Sequence, residues 1–149
     1  MFEDVRDLYS AAIVERGRRP RHMRRLEAFD VTAKGDNPLC GDRVQVWVKL
    51  DAGRISASGF DARGCEISKA AADLMVEAVQ GHTPGDTRAM FESFRVMAQT
   101  GVCPAHQAEL AAMQPLAAVH EYKSRVKCAT LPWHALLAAL DGKGETSSE

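Results

Sequence analysis

A stretch of regular alternation between apolar and polar positions constrains the fold of this chain most. The alternation covers residues 43–50, where Val44, Val46, Val48 and Leu50 alternate with Arg43, Gln45, Trp47 and Lys49. Successive side chains of a β-strand point to opposite faces, so this period of two predicts a strand with one buried face. Residues 51–53 form a turn signal and residues 54–60 return as a weaker strand, so we predict a β-hairpin.

One more strand and several helices complete the predicted fold. Residues 27–33 are short, β-leaning and followed by a cluster of structure breakers. Apolar residues at helical spacing predict helices from Phe2 to about Glu15, Glu66 to Gly81, Thr83 past Met97, Ala105 to Met113, and about Cys128 to Leu140. This order predicts an α+β fold in which a small three-stranded antiparallel sheet packs against about five helices.

Length and composition predict one globular domain. The 149 residues are 46% hydrophobic and 26% charged, which is ordinary for a chain that buries a core. We place the domain at residues 1–140. Residues 141–149 are rich in Gly, Ser, Glu and Lys, so we expect a flexible C-terminal tail there.

The net charge and the N-terminal sequence indicate which classes of partner and which cellular compartment to expect. The net charge is −1, which does not favour a nucleic-acid partner. Residues 16–25 hold six arginines, but no aromatic residues interleave them, so a solvated loop is favoured over a nucleic-acid arm. No apolar run is long enough to span a membrane, and the acidic start resembles no secretory signal. We therefore expect a cytoplasmic protein with no membrane partner, whose cysteines stay reduced.

Three of the four cysteines lie at predicted element boundaries, not on apolar faces. Cys40 precedes the alternating strand, Cys65 lies where a strand gives way to a helix, and Cys128 lies near the start of the last helix. A helix N-terminus favours thiolate, the form that binds metals, and Asp42 adds a carboxylate near Cys40. Three sulfurs and one carboxylate oxygen would complete a tetrahedral zinc shell. The residues alone leave open a shared metal site, unrelated reduced cysteines or one catalytic cysteine, and Cys103 is not favoured as a ligand.

The motifs around these cysteines resemble a known family. The segments Asn37-Pro-Leu-Cys-Gly-Asp42, Gly64-Cys-Glu-Ile-Ser68 and Arg125-Val-Lys-Cys-Ala-Thr-Leu-Pro-Trp133 occur in the order seen in the U-type iron–sulfur scaffold family. That family includes SufU, IscU and the N-terminal part of NifU, and the likeness extends from the opening helix to about Leu140. Lys127 stands where the IscU branch has a histidine, and the segment before the last motif is longer than in IscU. The resemblance is therefore to the SufU branch.

This resemblance implies a metal site and an activity. It implies zinc held by Cys40, Asp42, Cys65 and Cys128, and a zinc-dependent sulfurtransferase that takes persulfide sulfur from a SufS-type cysteine desulfurase. Downstream Suf scaffold proteins would be the next partners. The alternative is a scaffold that assembles a transient [2Fe–2S] cluster on the same residues, because thiolates suit both metals. A third possibility is a metal that only stabilises the fold.

Individual residues receive roles on the same basis. We expect Cys40 to be the sulfur acceptor, because it lies on a glycine-flanked loop, with Cys128 as second choice. Arg125 is expected to supply positive charge near the thiolates. Glu66 departs from the small residue usual in the family, and its carboxylate would disfavour a thiolate at Cys65 unless it points to solvent. Ser68 is expected to bond exposed backbone groups in the first helical turn.

Overall fold

The computed structural model describes residues 11–38 and 41–147. Its elements in chain order are α1 (Ala11–Arg18), β1 (Val31–Asn37), β2 (Asp42–Asp51), β3 (Arg54–Arg63), α2 (Glu66–Ala78), α3 (Pro84–Thr100), a 3-10 helix (Ala111–Glu121), α4 (Lys123–Leu140) and β4 (Glu145–Ser147). The predicted α+β arrangement with five helices is confirmed. The first residues of the predicted opening helix lie outside the described range, and its described part continues to Arg18.

The sheet contains the predicted hairpin and one strand that was not predicted. The strand order is β3-β2-β1-β4, with β1–β2 and β2–β3 antiparallel. The prediction of a purely antiparallel three-stranded sheet is wrong, because β4 adds a parallel fourth strand beside β1. This strand comes from the segment 141–149. Its sequence is polar and shows no alternation that would predict a strand. The strand forms through backbone pairing with β1.

The inner face of the sheet forms the core with the helices. Val44, Val46, Val48 and Phe60 are almost completely buried there. Helix α4 packs on β1 and β2, while α2 packs on β3 and on α4. Helix α3 lies against α4 and the 3-10 helix, where Trp133 of α4 stacks on Phe94 with ring centroids 5.5 Å apart. The two helices α2 and α4 therefore meet beside one end of the sheet.

The arginine-rich loop after α1 is part of the folded structure. The guanidinium of Arg25 lies 5.9 Å from the Trp47 ring centroid, and Met23 forms a parallel bridge with Phe60 of β3. A side chain at Gly59 would place its Cβ 2.4 Å from the carbonyl oxygen of Arg24, so the close approach of this loop to β3 requires glycine. The loop therefore covers part of the outer face of the sheet.

The segment before α4 differs from the predicted helix at Ala105 to Met113. Residues 111–121 form a long 3-10 helix that contains Pro115. Buried apolar side chains recur every third residue from the N-cap Leu110 onward: Leu110, Met113, Leu116 and Val119. A 3-10 helix has three residues per turn, so this spacing lines up one buried stripe. The α-helical prediction was wrong because it rested on a period of 3.6 residues and stopped at the proline.

Candidate metal centre

Asp42 supplies a buried carboxylate at the start of β2. It pairs across the sheet with Asn37 of β1, and it is only 1% exposed. Its Oδ1 accepts a hydrogen bond from the backbone N–H of Cys65 at 2.9 Å. One carboxylate oxygen is thus held by the backbone, and Oδ2 points to the neighbouring side chains.

Cys65 is the N-cap residue of α2, as its position at a helix start predicted. Gly64 before it has φ +120°, and a Cβ at Gly64 would lie 2.0 Å from Asp42 Oδ1. Only glycine therefore lets the Asp42 carboxylate reach the Cys65 N–H. The sequence contains this signal in the order Gly-Cys, but its meaning depends on Asp42, which is distant along the chain.

Cys128 lies inside α4 and not at its start. The helix begins at Lys123, so the prediction that Cys128 sits at a helix N-terminus is wrong. The first residues of α4 are mostly polar and carry no apolar stripe, and their basic charges are unfavourable at a helix N-terminus. The sequence pattern therefore did not predict this first turn. Cys128 is 1% exposed, and its Sγ lies 3.5 Å from the Ser124 carbonyl oxygen.

The fold brings these three side chains together. Ligand atoms of Asp42, Cys65 and Cys128 all lie within 4.8 Å of one another. Around a tetrahedral zinc ion with Zn–S bonds of about 2.3 Å, two sulfurs lie roughly 3.8 Å apart. Two sulfurs and a carboxylate oxygen at this spacing fit three corners of such a site. Cys103 does not belong to the group, and its Sγ lies 3.1 Å from the Ala105 carbonyl oxygen.

Cys40, the fourth predicted ligand, lies outside the described residues. The nearest described residues are Pro38 and Gly41. Asn37 and Asp42 are cross-strand partners, and the Gly41 N–H donates to the Asn37 carbonyl oxygen at 2.8 Å. Cys40 is two residues before Asp42 in the sequence. The four-residue ligand set remains a prediction.

A hydrogen bond between Cys65 and Cys128 shifts their pKa values in opposite directions. The pKa of Cys65 is lowered to about 7, first by a hydrogen bond with Cys128 and also by hydrogen bonds to Ser68, against the effect of burial. The pKa of Cys128 is raised, by its hydrogen bond with Cys65, by burial and by the carboxylate of Asp42. Two adjacent thiolates beside a buried carboxylate would repel one another and the carboxylate, so full deprotonation of both thiols requires a cation. The donor set therefore suits a metal ion.

Two charged residues lie close in sequence to the cysteines of the site. Arg125 is half-buried in the first turn of α4, three residues before Cys128. The Glu66 carboxylate lies 3.7 Å from the guanidinium of Arg18, and both side chains are substantially exposed. Glu66 therefore faces a cation of α1, which offsets the repulsion toward Cys65 that the sequence predicted.

Ser68 has a different position from the one predicted. It is fully buried, and its Oγ lies 3.1 Å from Asp42 Oδ2, 3.8 Å from Cys65 Sγ and 2.8 Å from the Cys128 carbonyl oxygen. The expected bond to exposed backbone of its own helical turn is thus wrong. Ser68 contacts all three described members of the site, and no local pattern in the sequence indicates this.

Comparison with known proteins places this chain in a family. A profile of the family described as NifU-like N terminal domain matches residues 8–129. The chain is 35% identical over 133 residues to the iron–sulfur cluster assembly scaffold protein IscU of Streptococcus pyogenes serotype M1, which covers 89% of this chain and 82% of that protein. It is 33% identical over 129 residues to the zinc-dependent sulfurtransferase SufU of Bacillus subtilis (strain 168), covering 87% of this chain and 86% of that protein.

Solved structures agree with the sequence comparison. A putative iron–sulfur cluster assembly scaffold protein for the SUF system from Fervidobacterium islandicum AW-1 superimposes with a TM-score of 0.82 at 28% identity, covering 92% of this chain and 99% of that one. Within the described ranges of our chain, no helix has the length and apolar character needed to cross a membrane. The predicted family is confirmed: this protein belongs to the NifU-like N-terminal domain family, together with its IscU and SufU relatives.

Proposed function

We propose that this protein is a zinc-dependent sulfur acceptor in iron–sulfur cluster assembly. The observation that carries the proposal is the group of buried Asp42, half-buried Cys65 and buried Cys128, whose ligand atoms lie within 4.8 Å of one another. The relative named a zinc-dependent sulfurtransferase, at 33% identity, supports the same function. We assign Cys40 as the fourth ligand, because it lies two residues before Asp42 in the segment that connects the paired strands β1 and β2.

The protein residues prepare the site for a metal ion. Bound zinc would supply the positive charge that keeps several neighbouring thiols deprotonated. The Cys65 N–H holds Asp42 Oδ1 at 2.9 Å, which leaves Oδ2 to serve as the ligand atom. Burial of Asp42 and Cys128 keeps water from competing at these two corners. Cys65 is more accessible than Cys128, so the site has one side open to a partner.

The transfer step that we propose is thiol exchange at Cys40. Its thiolate attacks the outer sulfur of a donor persulfide, R–S–SH, on a cysteine desulfurase. A new S–S bond forms to give Cys40–S–SH, the S–S bond of the donor breaks, and the donor leaves as the thiolate R–S⁻. No external oxidant or reductant is needed. The adjacent Gly41 has φ +76°, and a Cβ added there would meet no atom within 4 Å, so the donor has space to approach next to Cys40 in the sequence.

Arg125 is proposed to support this step by its charge. It lies about one turn before Cys128 on α4 and is half-buried. A guanidinium there favours anionic sulfur on the incoming donor and on the acceptor. The donor is proposed to be a SufS-type cysteine desulfurase, with a downstream Suf scaffold protein as recipient and the cytoplasm as the compartment.

Metal content distinguishes zinc-dependent transfer from its main competitor. Protein purified without oxygen should be colourless and contain about one zinc per chain, as one four-ligand site requires. It should also stimulate turnover of a SufS-type desulfurase, and Cys40→Ala should remain folded and lose that stimulation. Cys103→Ala is the matched control and should stimulate fully. Full stimulation by Cys40→Ala would rule out Cys40 as the acceptor.

The second candidate is a scaffold for a [2Fe–2S] cluster on the same residues. The relative named an IscU scaffold protein, at 35% identity, favours it. Lys127, in place of the histidine of the IscU branch, favours zinc instead, because a lysine side chain is a poor replacement for an imidazole ligand. Brown protein containing iron and acid-labile sulfide in place of zinc would establish the scaffold and contradict the zinc proposal.

A further inference from the structure

Pro132 removes a helical hydrogen bond at the metal centre. In an α-helix the carbonyl of residue i accepts from the N–H of residue i+4, and proline has no N–H. Pro132 lies four residues after Cys128 inside α4, so the Cys128 carbonyl loses its usual donor. Cys128 is only 1% exposed, which leaves little room for water to replace it. A buried carbonyl in this position needs another partner.

Ser68 of α2 is that partner. Its Oγ lies 2.8 Å from the Cys128 carbonyl oxygen, and Ser68 itself is 0% exposed. The bond crosses from α2 to α4 between residues far apart in the sequence. Ser68 is also three residues after Cys65, so the same helical turn carries a predicted metal ligand and the donor to a second ligand's backbone.

The same hydroxyl also touches the other two members of the site. Ser68 Oγ lies 3.1 Å from Asp42 Oδ2 and 3.8 Å from Cys65 Sγ. A hydroxyl has one hydrogen, and the 2.8 Å contact to the carbonyl is the shortest of the three. One buried side chain thus fixes the distance between β2, α2 and α4 where their ligands meet.

We propose that Pro132 and Ser68 form a paired positioning device for the metal site. Pro132 frees the Cys128 carbonyl, and Ser68 uses it to hold the backbone of Cys128 against Asp42 and Cys65. Metal sites tolerate ligand displacements of only about 0.2 Å, so a bond to the backbone of a ligand residue controls affinity and geometry. The inference rests on the metal site of the proposed function and does not depend on sulfur transfer.

A double-mutant cycle read out with Co²⁺ tests the pair. Ser68→Ala should weaken Co²⁺ binding about 10–100-fold, as loss of an outer partner of a metal ligand does, and shift the thiolate-to-cobalt and d–d absorption bands. Pro132→Ala restores an N–H that can donate to the Cys128 carbonyl. In the Pro132→Ala background, Ser68→Ala should therefore reduce Co²⁺ affinity by a clearly smaller factor than in the parent protein.

The controls separate positioning from general stability. Ser93→Ala removes another buried serine, on α3, and should leave Co²⁺ affinity and spectrum unchanged. If Ser68→Ala alone is unfolded, the Ser68→Ala/Pro132→Ala variant decides, and a folded, Co²⁺-binding double variant supports the proposal. Equal losses in both backgrounds, an unchanged affinity and spectrum of Ser68→Ala, or an unfolded double variant would overturn it. Failure of the parent protein to bind Co²⁺ would overturn both this inference and the proposed metal site.

Discussion

Gly64 shows how one residue without a side chain determines the geometry of the site. It combines φ +120° with a position where a Cβ would lie 2.0 Å from Asp42 Oδ1. The Gly-Cys order appears in the sequence motif, yet the sequence does not reveal which atom a side chain at position 64 would clash with. That atom belongs to Asp42 of β2, a proposed ligand 22 residues earlier in the chain, so the requirement exists only in the folded chain.

We expect Gly64→Ala to destabilise the protein and weaken its metal site together. The backbone strain and the clash should lower the free energy of unfolding by at least about 2 kcal/mol, measured by urea denaturation of chelator-treated protein. Gly142→Ala is the matched control, because Gly142 has φ +75° and a Cβ added there would meet no atom within 4 Å. It should cost about 1 kcal/mol and leave metal affinity unchanged. Equal effects of the two substitutions would contradict the close contact with Asp42.

His134 provides a pH-dependent prediction at the residue scale. Burial lowers its pKa from the ordinary histidine value, and its ring packs edge-on against Phe91 with centroids 5.2 Å apart. The unfolded chain therefore takes up a proton at higher pH than the folded chain does. The contribution of neutral His134 is present above the unfolded pKa of about 6.5 and is lost as pH falls through the folded pKa.

The corresponding experiment compares unfolding free energies at about pH 7 and about pH 5. The parent protein should lose more stability on acidification than His134→Gln, which cannot take up this proton. An equal pH dependence in the two proteins would show that His134 does not titrate differently on folding.

At the scale of elements, the contact between α1 and α2 depends on a buried ion pair. Arg16 of α1 donates to Asp73 of α2 at 2.6 Å, and the Asp73 side chain is 0% exposed. The backbone N–H of His22 donates to the other oxygen of the same carboxylate at 2.7 Å. Arg16, in the arginine-rich segment, therefore has a structural role. The net charge of the segment does not show which of its arginines is paired with a buried carboxylate and which are solvated.

Arg16→Ala should be strongly destabilising, because it leaves a buried carboxylate without its cation. We expect a loss of about 3 kcal/mol in the free energy of unfolding, measured by denaturant titration. Arg19→Ala removes an exposed pair with Glu15 on the same helix and should cost no more than about 0.5 kcal/mol. If Arg16→Ala proves as mild as Arg19→Ala, the pair does not anchor α1.

The success of sequence reasoning also differs between elements. Strand β2 was predicted because its alternation is a local signal, and the turn at Ala52 and Gly53 follows from adjacent residues with positive φ. Strand β4 was missed because its stability comes from the backbone of β1. The start of α4 was missed because its first turn is polar, although it places Cys128 one and a half turns into the helix. Local sequence patterns predict which elements form, whereas the exact ends of these elements also depend on tertiary contacts.

At the scale of the whole molecule, the fold joins three distant cysteine motifs at one end of the sheet. Their order in the sequence predicted the family, and the structure brings Asp42, Cys65 and Cys128 into one group. The sequence did not reveal how Ser68 and Pro132 connect these motifs. That connection depends on a carbonyl whose helical donor is missing, which becomes visible only when both helices are in place.

Mapping of the transferred sulfur tests the central claim most directly. The protein is incubated anaerobically with a SufS-type cysteine desulfurase and cysteine, alkylated, digested, and analysed by mass spectrometry. We predict one added sulfur on the peptide that contains Cys40, unchanged in Cys103→Ala and absent from Cys40→Ala. Sulfur found on Cys103, or sulfur uptake that persists in Cys40→Ala, would contradict the assignment of Cys40 as the acceptor.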